Sequence, residues 1–124
     1  MEKVEAFFDR GVLHPGHPPI VDYAVLATSS KDLKAGTVLK SGNGGLAPAG
    51  DSDTPCAVLL ADVPAHSSAA VEAVPVVVHG LVVRSRLLDF SDTDEAAASA
   101  TLAAKLPACG IYLTQAGWSE SNFN

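Results

Sequence analysis

Aromatic side chains are scarce in this chain: one Trp, two Tyr and four Phe. A core built without them has to come from Val, Leu and Ala. Cysteine is nearly missing too. Cys56 and Cys109 lie far apart and form no CxxC pattern, which argues against the disulfide-dense scaffold of a small secreted domain. Two free thiols in a reducing cytosol are expected, and the sequence leaves open whether the two meet in space. Basic residues are few, eight Lys and Arg against fourteen Asp and Glu, for a formal net charge of −6. Such a surface repels phosphates, and only Arg84 and Arg86 sit close together, so no nucleic-acid partner is expected. Long apolar runs are missing as well. AVLLA at 57–61 and AVPVVV at 73–78 fall far short of the roughly 20 residues that cross a bilayer. The N-terminal MEKVEAFFDRG has no apolar core of a signal peptide. The expectation is a protein made and kept in an aqueous compartment, with no membrane partner.

Catalytic signatures are missing in the same way. The chain has no GxSxG, no P-loop and no dinucleotide-binding glycine fingerprint. GNGG at 42–45 precedes no helix start that would meet a phosphate, and reads as a flexible loop. The histidines are His14, His17, His66 and His79. HPGH places His14 and His17 three apart, but Pro15 and Gly16 forbid the helix that would align them. Zinc needs further ligands at diagnostic spacing, and none stands there, so no metal and no cofactor are expected. A nucleophilic pairing of Cys56 or Cys109 with His66 or His79 carries no family signature. The acidic cluster at 51–53 reads as a solvated turn.

What is present is enough apolar material for one domain. At 124 residues and 48% hydrophobic, the chain can bury roughly two-thirds of its unfolded surface. Residues 1–20 differ from the rest. VLHPGHPPI packs three prolines and a glycine into a short span, which stops both helix and central strand. A helical turn at 4–8 is possible, and Phe7 and Phe8 are apolar anchors on a segment without its own core. The region reads as an extended N-terminal arm.

From residue 21 the pattern becomes β-rich. DYAVLA at 22–27 is a short strand, SSKDLKAG a turn, and TVLK at 37–40 the return strand. SGNGGLAPAGDSDTP at 41–55 reads as a long loop, and CAVLLADV at 56–63 as a buried strand. AVPVVVHGLVVRSRLLDF at 73–90 is the longest extended tract. Strand alternation puts Val74, Val76, Val78, Gly80, Val82 and Arg84 on one face, and Pro75, Val77, His79, Leu81 and Val83 on the other. Both faces are apolar. The tract is therefore the covered centre of a sheet, or it turns one face to another subunit. Gly80 marks a bulge or a close backbone approach, and His79 reads as a satisfied histidine of a buried strand.

The Ala-rich stretch at 91–107 predicts one helix, at about 92–106. Ser91 or Asp92 would cap it, Asp92, Asp94 and Glu95 would complement its dipole, and Leu102 and Leu106 share a face. IYLT at 111–114 is a last strand, and 115–124, with Trp118 and Phe123, a polar tail. The expected fold class is α+β, mainly β: arm 1–20, compact domain 21–114, tail 115–124.

Four pieces occur in a telling order: DYAVLATSSKDLKAGTVLK, then TPCAVLLADVPA, then AVPVVVHGLVV, then a helix followed by ACGIYL. In that order, over about residues 21–113, the chain resembles the head decoration proteins of tailed bacteriophages, the lambda-type capsid-stabilising family. The resemblance implies a non-enzymatic, β-rich subunit that forms a homotrimer. It implies binding to the major capsid protein on the outer surface of the expanded head, after synthesis in the host cytoplasm. By position only, it makes 1–20 the capsid-docking arm, through Phe7, Phe8, Val12, Leu13, Pro15, Pro18, Pro19 and Ile20. With the two-faced strand, it makes Val76, Val78, Val82 and Arg84 candidates for the trimer contact. Two other readings stand beside it. One is a tail or fibre subunit of a virion. The other is a small ligand-binding or accessory enzyme domain using Cys56 and His79.

Overall fold

The computed structural model describes residues 12–13, 19–89 and 96–114. Their strands are β1 (Ile20–Leu26), β2 (Val38–Gly42), β3 (Gly45–Pro48), β4 (Pro55–Leu59), β5 (Val71–Val83), β6 (Leu88–Asp89), β7 (Ala96–Ala97) and β8 (Ile111–Thr114). One short α-helix, α1 (Ala100–Ala103), and 3-10 turns at Arg84–Arg86 and Leu106–Cys109 complete the set. The fold is mainly β, as the pattern of short strands and turns predicts.

Pairing closes the first five strands on themselves. The sheet runs β1-β3-β2-β4-β5, and β1 also pairs with β5, so the row becomes a small barrel. Alternating side chains fill it from every strand: Ala24 and Leu26, Leu46, Leu39, Ala57 and Leu59, and Val74 and Val76, with Leu33 and Val63 alongside. A second core lies on the outer face of β2, β4 and β5. There Val38, Val58 and Val77 meet Val82, Leu87, Leu102, Leu106 and Ile111. This second layer is a cap, made of the chain after β5 together with Val12 and Leu13.

β5 changes partners along its length. One edge pairs with β1 from Val71 to His79, and then with Leu13, which bridges Val82. The other edge takes β4 at Val76 and Val77, then β8 from Gly80 to Val83. Between these, Ile20 opposes His79 while Val21 opposes Val77, so Val78 is the extra residue of a bulge. The bulge reverses the alternation: Val74 and Val76 point into the barrel, but even-numbered Val82 belongs to the cap core. Gly80 is where another backbone comes close, since a Cβ there would stand 3.2 Å from Pro19 Cα.

At one pole two loops clasp each other. Ser29 bridges His66 and Leu33 bridges Val63. Asp32 Oδ1 accepts from Ala65 N at 2.8 Å, and Asp62 Oδ1 from Ala35 N at 2.9 Å. The turn that follows, at 34–37, closes through Thr37 N to Lys34 O and places Gly36 at φ 102°. Gly36 is buried under the 84–88 segment: its N–H donates to Leu59 O at 2.7 Å and its carbonyl accepts from Leu88 N at 2.9 Å.

Several expectations need correction. The segment at 41–55 is not one loop, because Gly45–Pro48 pairs with β2 as a hairpin closed at Asn43 and Gly44. The helix expected at about 92–106 is a single turn, Ala100–Ala103; Ala96 and Ala97 pair instead with Asp89 and Leu88, and Ser99 caps α1 by accepting from Leu102 N. Pro107 does not stop that helix but opens the 3-10 turn. Leu102 and Leu106 do share the buried side. Val12 and Leu13, assigned to the docking arm, are 1% and 0% exposed and belong to the cap core. Val76 and Val82, assigned to the trimer contact, are 1% and 0% exposed and lie inside the subunit, because the barrel and the cap each take one of them. The helical turn at 4–8, Phe7, Phe8, His14, Pro15, His17, Pro18, the caps at 91–95 and the tail with Trp118 and Phe123 lie outside the described residues.

Candidate functional site

Three features on the outer surface carry what chemistry the fold offers. The first is a row of large apolar groups across β1, β5 and β8. Ile20 and Tyr23 on β1 and Tyr112 on β8 are exposed, as is Val25. Ile20 stands opposite His79, and Tyr23 opposite Pro75. The His79 and Tyr112 rings meet edge to face, centroids 6.0 Å apart. Of the sequence candidates, Ile20 lies in this row, with Pro19 half-buried beside it. Val78 is half-buried on β5, and Arg84 is turned inward, donating from Nη2 to Ala98 O at 2.7 Å. Sequence reasoning misses the exposed Tyr23, Val25 and Tyr112. Their only signal is the alternation in DYAVLA and IYLT, hidden because both faces of those strands are apolar.

The second feature is an open groove lined by Lys40, Ser41, Asn43, Asp53, Thr54 and Cys56. Its shape follows from the loop before β4. Gly50 N donates to Asp53 Oδ2 at 2.8 Å, and Lys40 Nζ pairs with the same oxygen at 3.1 Å. Lys105 from the cap reaches across, donating to Asp53 O at 2.9 Å and to Asp51 O, while Ser99 Oγ donates to Asp51 Oδ1. The acidic cluster read as a solvated turn is therefore the latch between barrel and cap.

The Gly50 hydrogen bond, then that of Lys40, holds the Asp53 carboxyl below its ordinary value. A carboxyl lowered by folding stabilises the fold above its unfolded value and stops doing so as pH falls through its folded value. Stability should therefore decline on acidification below about pH 4, and Asp53→Asn should remove part of that decline. The side chain is partly exposed, so the difference should not exceed about 1 kcal/mol. Urea midpoints at several pH values check this; identical acid slopes for the two proteins would sink it.

The third feature is the junction where β4 ends and β8 begins along β5, holding Cys56, His79 and Cys109. Cys56 is the extra residue of a bulge, since Leu39 opposes Ala57 and Lys40 opposes Pro55. Cys109 ends the 3-10 turn, its Sγ donating to Leu106 O at 3.1 Å. Burial pushes both thiols up, and the neighbouring Cys109 raises Cys56 further. A protonated thiol is a poor nucleophile. Among the described residues no cluster of His, Cys, Asp and Glu is arranged to hold a metal, and no helix is long and apolar enough to cross a membrane. Comparison with protein-family models, curated proteins and solved structures returned no match.

Proposed function

We propose that this chain is a capsid decoration protein. A homotrimer binds the major capsid protein on the outer surface of an expanded phage head and clamps it against the pressure of packaged DNA. The observation that carries this reading is the order of the four resembling segments. They are spread along the chain, on β1 to β2, on β4, on β5, and on the 3-10 turn leading into β8, rather than gathered in one motif. Two further features support it. Exposed Ile20, Tyr23, Val25 and Tyr112 are a large apolar outlay for so small and acidic a subunit, and suit a surface covered on assembly. The raised Cys56 thiol suits a structural protein better than an accessory enzyme using Cys56 and His79. Trimerisation also supplies strength: three weak contacts on one rigid body raise avidity by about 10²–10⁴ over one.

The test is light scattering of the purified protein and its binding to expanded heads stripped of decoration protein. A trimer that binds saturably and raises the heads' resistance to heat is expected. A monomer, or a trimer that ignores such heads, defeats the reading, and a protein found on tails by electron microscopy replaces it with the tail or fibre alternative.

A further inference from the structure

Cys56 and Cys109 are far apart in sequence, yet the topology brings their segments to the same edge of β5. β4 and β8 share the same edge of β5, end to end. β4 is in register as far as Val58 opposite Val77, and β8 starts with Ile111 opposite Gly80. β4 runs antiparallel to β5, so Cys56, two residues before Val58, lies on the β8 side of that pair, its side chain against the barrel core while Cys109 packs against the cap core. From the other side, Gly80 N donates to Gly110 O at 3.1 Å, so Gly110 lies beside Gly80 and Cys109 is the next residue back. The His79 ring occupies the space at Gly110, where a Cβ would stand 2.8 Å from Nδ1. β4 also packs against the 3-10 turn that ends at Cys109. Finally, the bulge frees Cys56 from a partner on β2, and bulges re-aim side chains.

We propose that Cys56 and Cys109 are a modification site, at which a two-electron oxidant closes an intrachain disulfide fastening β4 of the barrel to the turn that leads into β8. Cys56 reacts first because it lines the open groove, where a small reagent reaches it. With a diazene oxidant such as diamide, the Cys56 thiolate adds to the N=N bond. Cys109 Sγ then leaves Leu106 O, attacks the Cys56 sulfur and expels the hydrazine. One S–S bond forms, and the two thiols give up two electrons and two protons, all taken by the diazene. Because burial keeps both thiols protonated, the reaction is slow near neutral pH and quickens as pH rises. The product adds a covalent tie between barrel and cap beside the Asp51–Asp53 latch.

The experiment treats the full chain with diamide at mildly alkaline pH, alkylates remaining thiols under denaturing conditions and measures intact mass and peptide linkage. The expected product is a single chain that has lost two hydrogens, takes up no alkylating group and yields a peptide pair joined through Cys56 and Cys109. Its Tm should exceed that of the reduced protein. In a glutathione buffer the disulfide should be favoured at least about tenfold more in the native protein than in the urea-unfolded chain. Cys56→Ser and Cys109→Ser should each keep one sulfur that alkylates or carries a mixed adduct. Two alkylated thiols per chain, links only between chains, or equal disulfide stability in native and unfolded protein would overturn the proposal.

Discussion

Gly36→Ala is expected to cost at least about 3 kcal/mol of stability, read as a fall in the urea midpoint. Two effects act together. The residue holds φ 102°, which an L side chain adopts only with strain, worth about 1–2 kcal/mol. A Cβ there would also stand 2.0 Å from the backbone oxygen of Arg86, far inside contact distance. That oxygen belongs to the 3-10 turn at Arg84–Arg86, held next to buried Leu87 and to Leu88, which donates to Gly36 O. The segment cannot retreat without breaking that bond and opening the cap core. Gly44→Ala is the internal control. Gly44 has φ 79°, but a Cβ there would meet nothing within 4 Å, so it should lose only the conformational part, about 1 kcal/mol. Equal costs at the two positions would show that the close approach to Arg86 does not matter.

Leu13→Ala should destabilise by about 2–5 kcal/mol, the range for emptying a leucine site in a packed core. Leu13 is 0% exposed, bridges Val82, and follows Val12, whose carbonyl accepts from Val83 N at 2.8 Å. If it belonged to a docking arm on the surface, the same change would shift stability by no more than about 0.5 kcal/mol and act only on head binding. Thermal and urea unfolding of the isolated protein separate these outcomes without any capsid. Total stabilities of small domains are about 5–15 kcal/mol, so the core assignment predicts that this single residue is a large part of the whole.

The strands are readable in the sequence where apolar and β-branched residues stand between turn signals, as in VLK, CAVL, VPVVVHGLVV and IYLT. β3 is not, because GLAP is a short piece among Gly and Pro, and only its register with β2 makes it a strand. The long helix is expected because alanine has the highest intrinsic propensity. That preference is weak, and the pairing of Ala96 and Ala97 with β6 outweighs it. Barrel closure is hidden because it depends on β1 pairing along both edges, which alternation does not report when Tyr23 and Val25 are apolar like Ala24 and Leu26. Val76 and Val82 share a face in the sequence pattern but not in the fold, because the bulge at Val78 reverses the alternation without any change in composition, and barrel and cap then cover one each. The approach of β4 to the turn that ends at Cys109 depends on where each lies along one edge of β5, a property of three strands at once.

The end of β5 also gathers the first and the last of the described residues. Val12 lies against one side of Val83, and Thr114 stands opposite Val83 on the other. The opposite end of the same strand, Val71, pairs with Leu26 just before the loops that clasp through Ser29 and His66. A 13-residue strand spans up to roughly 40 Å. Val12 and Thr114 are therefore neighbours at one pole, and the clasped loops stand at the other.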